Sequence, residues 1–273
     1  MRAALTAKFL FKLMPLLAVS LYLSLSVTAH AELTVKASVG YDYSSGDYGT
    51  PTTTEIESIP VTLSYTSGPW AGSVTVVPYI SVTGNGTVVP GGGANPGSAF
   101  IPGSGSGSGS TVTNEGQGDT TLSLAYALFP ADPTGTFIEF TGKAKLGTAD
   151  VSKGLGTGEN DYSIQVDSYF GNGVVIPLVT IGYTIMGDTA SIDYNNIFYG
   201  TIGAIFQTTE TASFSILYDY QQTSVDGTDD FEQVGVYFDW QDPTLSSTSL
   251  GLIMGLSDNA SDVGLSIIFS QQW

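Results

Sequence analysis

The sequence of 273 residues carries 25 acidic side chains against seven lysines and arginines, a single histidine and no cysteine. A surface this acidic repels phosphate backbones, whose recognition takes clustered Lys and Arg, so nucleic acid is a poor partner. Without cysteine the chain has no disulfide framework, and its stability must come from extended secondary structure.

Residues 1–31 read as a secretory signal peptide. Arg2, Lys8 and Lys12 form a basic start, Leu13 to Val27 is apolar with interspersed Ser, and Ala29-His30-Ala31 offers a small-x-small cleavage site. Pro15, Ser20, Ser24 and Ser26 interrupt the apolar stretch, which falls short of the roughly 20 apolar residues of a spanning helix. Cleavage there leaves Lys36, Lys143, Lys145 and Lys153 as the basic side chains of residues 32–273 and removes every Arg and His.

From residue 33 onward the pattern has a period of two. Leu33, Val35, Ala37, Val39, Tyr41 and Tyr43 alternate with Thr34, Lys36, Ser38, Gly40, Asp42 and Ser44, and an extended strand sends such neighbours to opposite faces. The alternation recurs at Ile59 to Tyr65, Val74 to Val82 (Val74, Val76, Ile80 and Val82 on one face), Leu122 to Leu128 and Ile138 to Leu146. It continues at Tyr162 to Phe170, Val179 to Ile185, Ile202 to Phe206, Phe214 to Tyr220, Val234 to Trp240, Leu250 to Leu256 and Val263 to Phe269. No segment of helical period competes with these twelve.

Short connections rich in Gly, Pro, Asn and Asp, such as Ser67 to Trp70 and Gly171-Asn172-Gly173, alternate with mostly longer ones: 45 to 54, 84 to 118, 147 to 160, 187 to 197, 223 to 230 and 257 to 262. This rhythm predicts an all-β fold, a transmembrane antiparallel up-and-down β-barrel of about twelve strands over residues 32–273. Its turns would be periplasmic, its loops external, and both termini periplasmic. A soluble sandwich also alternates, but its wet face usually carries many Lys, Arg and Glu. Here the polar face is Ser, Thr, Gly, Gln and Asp, and Tyr and Phe crowd the strand ends, as expected of lipid outside and water inside a barrel of the bacterial outer membrane. The partners this implies are outer-membrane lipid, the assembly machinery and a small-molecule solute; lipid contact and self-association look alike on the apolar face, which leaves the oligomeric state open. The last strand, with Phe269 and the terminal Trp273, has the alternating aromatic ending expected of an assembly signal, and Trp273 also reads as an interfacial anchor.

Several segments together carry a further likeness: Val77-Pro78-Tyr79-Ile80, Gly118-Asp119-Thr120-Thr121, Lys143 to Asp150, Lys153 to Asp161, Gly182-Tyr183 and Gly187-Asp188. In these the chain resembles the MetA-pathway of phenol degradation family of outer-membrane proteins, often called simply transporters, over most of residues 32–273. Where that family commonly has Pro-Thr-Gly-Asp, this chain has Gly147-Thr148-Ala149-Asp150. The resemblance implies a barrel that passes small compounds, aromatic or otherwise apolar, across the outer membrane.

Residues 32–273 hold no His or Cys, and a serine without a base is a weak nucleophile, so enzymatic chemistry is not expected. Gly154 to Gly158 is followed by neither a helix nor Gly-Lys-Ser/Thr, and reads as a permissive loop, not a phosphate cradle. Acidic loops at Asp226 to Asp230 and Asp258 to Asp262 lack the full ligand pattern of a Ca²⁺ site. No cofactor or metal is expected.

The charges of the inner face are the candidate functional residues: Lys36, Asp119, Glu139, Lys143, Lys145, Asp161, Asp167, Asp219 and Asp239. The lysines form either a cationic ladder guiding anionic or polarisable solutes, or salt bridges in which Lys143 and Lys145 neutralise Asp119, Glu139 and Asp167 and brace the wall. The loop from 84 to 118 contains Gly91-Gly92-Gly93 and an alternating Gly-Ser run to Ser110, a composition of flexible coil. Two functions are compatible with this pattern. One is a channel or facilitator for passive passage of small solutes; the other is a structural or adhesive surface barrel with a plugged lumen.

Overall fold

The computed structural model describes residues 33–48, 52–84, 87–90, 100–103, 111–128, 135–190 and 192–273. The expected signal peptide and the Gly-Ser run from Ser104 to Ser110 lie outside the described residues.

The strands are β1 (Leu33–Gly46), β2 (Thr54–Ser67), β3 (Trp70–Gly84), β4 (Thr87–Pro90), β5 (Phe100–Gly103), β6 (Val112–Gly116), β7 (Thr120–Ala127), β8 (Phe137–Leu146), β9 (Asp161–Tyr169), β10 (Val175–Ile185), β11 (Ile197–Gln207), β12 (Ala212–Gln221), β13 (Phe231–Gln241), β14 (Ser246–Gly255) and β15 (Val263–Gln272). One 3₁₀ turn, Val151–Lys153, lies between β8 and β9. Each strand of the wall pairs antiparallel with its neighbours, and β15 returns to β1 with Lys36 opposite Gln272 and Ser45 opposite Val263. Val35 and Trp273 exchange a pair of backbone hydrogen bonds at 3.1 and 2.8 Å, which completes the seam. The sheet is therefore a closed barrel, and its wall has the twelve strands that the alternation predicts. Both ends of the described wall stand on the rim of short turns.

The fourth strand of the wall is composite. β7 pairs with β3 from Trp70 to Thr75, β6 pairs with it from Ile80 to Gly84, and the Gly118 N–H donates to the Val77 carbonyl at 2.8 Å across the break. Residues 112–116, expected as part of the loop 84 to 118, thus belong to the wall, and β4 and β5 form a separate hairpin within that connection. A lone apolar residue, Val112, in a run of polar ones hid the strand from a reading based on alternation.

The second departure lies opposite this break. Between β2 and β3 the register passes from Ile59↔Tyr79 to Val61↔Val76, so β3 spends one extra residue near Val77 and Pro78. A bulge of this kind reverses the face of every later side chain on its strand. Ile80 and Val82, expected beside Val74 and Val76 on the outer face, point inward instead and are fully buried. They pack with Tyr48, Ile56, Ala149 and Leu155 in an apolar cluster under the loop rim.

Elsewhere the outer surface is apolar. Ile202 is 59% exposed, Leu252 64% and Ile164 70%, each in the middle of a wall strand flanked by others of the same kind. A water-soluble protein does not leave contiguous aliphatic stripes so open, and a closed barrel that pairs its own backbone is one of two structures able to stand in hydrocarbon. Toward the loop rim the outer face changes character: Tyr43 donates to Glu55 (3.3 Å), Tyr79 to Glu115 (3.1 Å), Tyr218 to Glu232 (2.9 Å) and Tyr220 to Asp230 (2.7 Å). Outward carboxylates have no place among acyl chains, so these pairs mark the level at which the hydrocarbon ends. Ile202→Arg is expected to lower stability by about 2–4 kcal/mol in urea unfolding from phospholipid vesicles. A loss under about 0.5 kcal/mol, ordinary for an exposed site facing water, would contradict the lipid contact.

Candidate functional site

The inward residues of β7 to β11, with Asp119 just before β7, form two polar clusters. Lys145 on β8 reaches the Asp161 carboxylate on β9 at 2.7 Å and that of Asp119 at 3.4 Å, all three side chains being nearly buried. Asp119 also accepts from the Ala149 N–H at 2.9 Å, and Asp161 from the Gly187 N–H at 2.9 Å, so the cluster ties the loops above it to the wall. One residue pair further down, the Lys143 ammonium donates to Gln165 Oε1 at 2.7 Å. The Gln165 amide nitrogen donates to both oxygens of Asp167 at 2.8 and 2.7 Å, and Thr180 of β10 donates to the same carboxylate at 2.7 Å.

Tyr199 of β11 completes this network from the far side, donating to Gln165 Oε1 at 2.9 Å. It can do so because the β10 residue between them is Gly182, which pairs with both Tyr199 and Gln165. A Cβ at position 182 would collide with the phenol ring, so the ring lies flat across bare backbone and is itself fully buried. Further round, Asp219 of β12 accepts from Thr201 (2.6 Å) and Gln233 (3.0 Å). Glu139 faces Asp167 across the β8 to β9 pairing, and Lys36 lies at the turn-side end of β1, opposite Gln272 and Ser64.

The lysines are thus engaged in bracing. The geometry brings Lys145 to Asp119 as one reading of the sequence had it, adds Asp161 as the shorter partner, and links Lys143 to Asp167 through Gln165 instead of directly. Neither Gln165 nor Tyr199 is among the charged candidates of the inner face, although parity with Asp161 and Asp167 puts Gln165 there. Period two extended back from Ile202 would have set Phe198 and Gly200 outward and Tyr199 inward.

On the opposite side the inner wall borders free volume. A cavity of about 230 Å³ runs along the inner faces of β1, β2 and β12 to β15, from Tyr48, Phe231 and Ser261 near the loop rim to Asp239 and Ser249 toward the turns. Its wall mixes hydroxyls (Ser44, Ser58, Ser215, Ser266) with apolar side chains (Ile56, Leu217, Ile253, Ile268). Tyr237 lines it as well, its ring seated over two glycines: a Cβ at Gly235 would come within 2.5 Å of the ring and one at Gly251 within 2.7 Å. Of the charged residues expected in the lumen, Asp239 borders the cavity; Asp42, whose carboxylate accepts from Ser266 at 2.7 Å, borders it too and was not singled out from the sequence.

Loops narrow the mouth. The β8 to β9 loop tucks Leu155 into the cluster with Ile56, Ile80 and Tyr48, and Ser152 donates to Asp150 at 2.6 Å, holding that carboxyl below its ordinary range. Met186, Tyr194 and Ile197 form a second apolar cap, and Phe231 with Ala260 a third. The acidic loops are occupied in this bracing: Asp188 accepts from the Tyr194 N–H at 2.8 Å, Asp226 from Asn195 at 2.7 Å and Asp230 from the Thr223 N–H at 2.9 Å. Phe269 and Trp273 stand outward on the last strand, both exposed.

The sequence matches no protein-family model, and no curated protein matches it. The fold is similar to that of two solved structures. One is an outer membrane channel from Pseudomonas putida F1, with 11% sequence identity and a TM-score of 0.63 over 90% of this chain and 97% of the other. The second is the NanC porin, with 10% identity and a TM-score of 0.50 over 86% of this chain and 97% of the other. At such identities the likeness is one of barrel architecture.

Two outcomes test this geometry. Lys145→Met leaves Asp161 and Asp119 buried without their counter-charge and is expected to lower stability by about 3 kcal/mol in urea unfolding, against about 1 kcal/mol for Tyr199→Phe, which loses one hydrogen bond. At the rim, burial pushes the Tyr48 phenol up to about 12, against a bond to Ser44 that lowers it. The folded protein holds this proton where the unfolded chain has released it, so the contribution of Tyr48 is intact below the unfolded value and is lost as pH rises through about 12. Tyr48→Phe is expected to flatten that alkaline loss in a stability profile taken across the same window.

Proposed function

We propose that the protein is an outer-membrane channel for passive passage of small solutes with an apolar or aromatic body. The observation that carries this reading is the cavity along β1, β2 and β12 to β15, in which hydroxyls are mixed with aliphatic side chains and the aromatic residues Tyr48, Phe231 and Tyr237. Such a lining suits a ligand that is mostly apolar with a few polar groups, and a barrel of twelve strands is wider than the side-chain-filled eight-stranded kind and narrower than a sixteen-stranded porin. The resemblance of Val77 to Ile80, Gly118 to Thr121 and Lys143 to Asp161 to the MetA-pathway of phenol degradation family supports the same solute class.

With the fold in the outer membrane, the short-turn rim that carries Leu33 and Trp273 faces the periplasm and the capped rim faces outside, as the alternation of short and long connections requires. Residues 1–31 serve as the export signal, and Phe269 with Trp273 as the mark read by the assembly machinery. Residues 32–273 hold no His or Cys, and chemistry at a bound solute is not part of this reading.

The bracing of β7 to β11 together with three apolar caps favours a second reading, a barrel closed by its own side chains. Single-channel recording in planar bilayers separates the two. Discrete openings, together with faster uptake of phenol than of a sugar of similar mass into proteoliposomes, are expected of the channel. Electrical silence from a fully folded protein, judged by its heat-modifiable gel mobility, would overturn it.

A further inference from the structure

We infer that the passage admits cationic and uncharged organic solutes and rejects anionic ones, a refinement that rests on the channel reading above. The argument starts from where the few basic side chains are spent. Lys145 is held by Asp161 and Asp119, Lys143 by Gln165, and Lys153 by the Glu115 carbonyl at 2.9 Å and the Asp150 carboxylate at 3.6 Å. Lys36 is at the far end of β1, level with the last residues of β15. Among the described residues no basic side chain borders the cavity.

Two carboxylates border it among the described residues. Asp42 lies toward the loop rim and Asp239 toward the turns, so a solute moving along the cavity meets one and then the other. Among the described residues the ion pairs engage Asp119, Asp150 and Asp161, and neither of these two. In a narrow bore with low-dielectric walls two fixed charges of one sign focus their field on whatever shares the space. An anion is opposed at both ends, whereas a cation is met by Asp42 and Asp239. The same sign recurs at the mouth, where Asp188, Asp226, Asp258 and Asp262 sit on the loops.

The aliphatic side of the lining sets the rest of the solute. Ile56, Leu217, Ile253 and Ile268 offer no hydrogen bond, so a small inorganic cation gains nothing from them that an ammonium on an aromatic or aliphatic body does not gain more of. The chemical class assigned to the cavity is therefore a small organic amine or a neutral amphiphile.

The test compares benzylammonium with benzoate, which share a ring and differ in the sign of the charge. Their permeability ratio is read from reversal potentials across planar bilayers of uncharged phospholipid holding the full-length, refolded protein. Benzylammonium is expected to permeate at least about tenfold faster, and Asp42→Asn with Asp239→Asn to reduce that preference to below about threefold. Asp239→Asn alone is a second variant at an exposed position, where the fold is expected to tolerate the change, and part of the loss is expected from it. An open channel that passes both ions equally or prefers benzoate overturns the inference, as does a double variant with unchanged preference. Electrical silence of the unsubstituted protein overturns the channel reading beneath it, and the inference falls with it.

Discussion

The structure depends on the seam between its first and last strands. Inside a bilayer each unpaired backbone N–H or C=O costs several kcal/mol, because no water is there to satisfy it. An open sheet would present such a row at each of its two edges. The pairing of Lys36–Ser45 with Val263–Gln272, continued by the Val35 and Trp273 exchange, removes both edges at once. Once the cylinder is closed, the choice of medium is fixed for every side chain: odd residues of β1 meet hydrocarbon and even ones the lumen. The same two-residue rule then runs round the wall, broken in β3 by the bulge at Val77 and Pro78.

Closure also creates a problem that the side chains have to solve. A lumen lined by Ser, Thr, Gln, Asp and Lys is polar enough to be wet but too narrow to leave every group to bulk water. On one half of the wall the answer is direct pairing. Gln165 is the hub, receiving Lys143 and Tyr199 on its carbonyl oxygen and passing its amide protons to Asp167. The hub works because of an absence, the missing Cβ at Gly182 that lets a phenol lie across β10. On the other half the side chains are shorter or aliphatic, and Tyr237 folds back over Gly235 and Gly251 instead of reaching across. The asymmetry of the lumen follows from this difference: long hydrogen-bonding side chains fill one side and leave free volume on the other.

Much of this was legible in the sequence, and the rest was not for definite reasons. Alternation is a local property, so all twelve wall segments could be read from Leu33 to Phe269, with the inner placement of Asp119, Lys143, Lys145, Asp161 and Asp167 following from parity alone. A bulge breaks parity without leaving a mark in hydropathy. Val77-Pro78 reads as a continuation of the strand, yet it turned Ile80 and Val82 from the outer face to the cluster beneath the mouth. β6 was missed for the converse reason, being a wall strand whose residues are mostly polar because it stands above the hydrocarbon, where no apolar face is demanded. Which lysine meets which carboxylate depends on the stagger between strands. A register of Lys145 opposite Asp161, fixed by pairing over the whole of β8 and β9, cannot be inferred from either strand separately.

The location of charge connects the architecture to what the lumen can admit. Residues 32–273 contain four lysines and no arginine or histidine, so each cation placed in the network is one that cannot line the passage. Bracing β8 against β9 takes two of them, because Asp119, Asp161 and Asp167 lie on the inner wall and a nearly buried carboxylate without a partner is costly. The electrostatic character of the open side is thus a consequence of stabilising the filled side. Asp42 and Asp239 remain there with only hydroxyls and apolar groups for company, and the apolar caps formed by Leu155, Ile197 and Phe231 keep the bore from becoming a broad aqueous pore in which salt would screen them. On the channel reading, solute choice is set where the wall is least reinforced, and its sign by the carboxylates that the reinforcement leaves without a counter-charge.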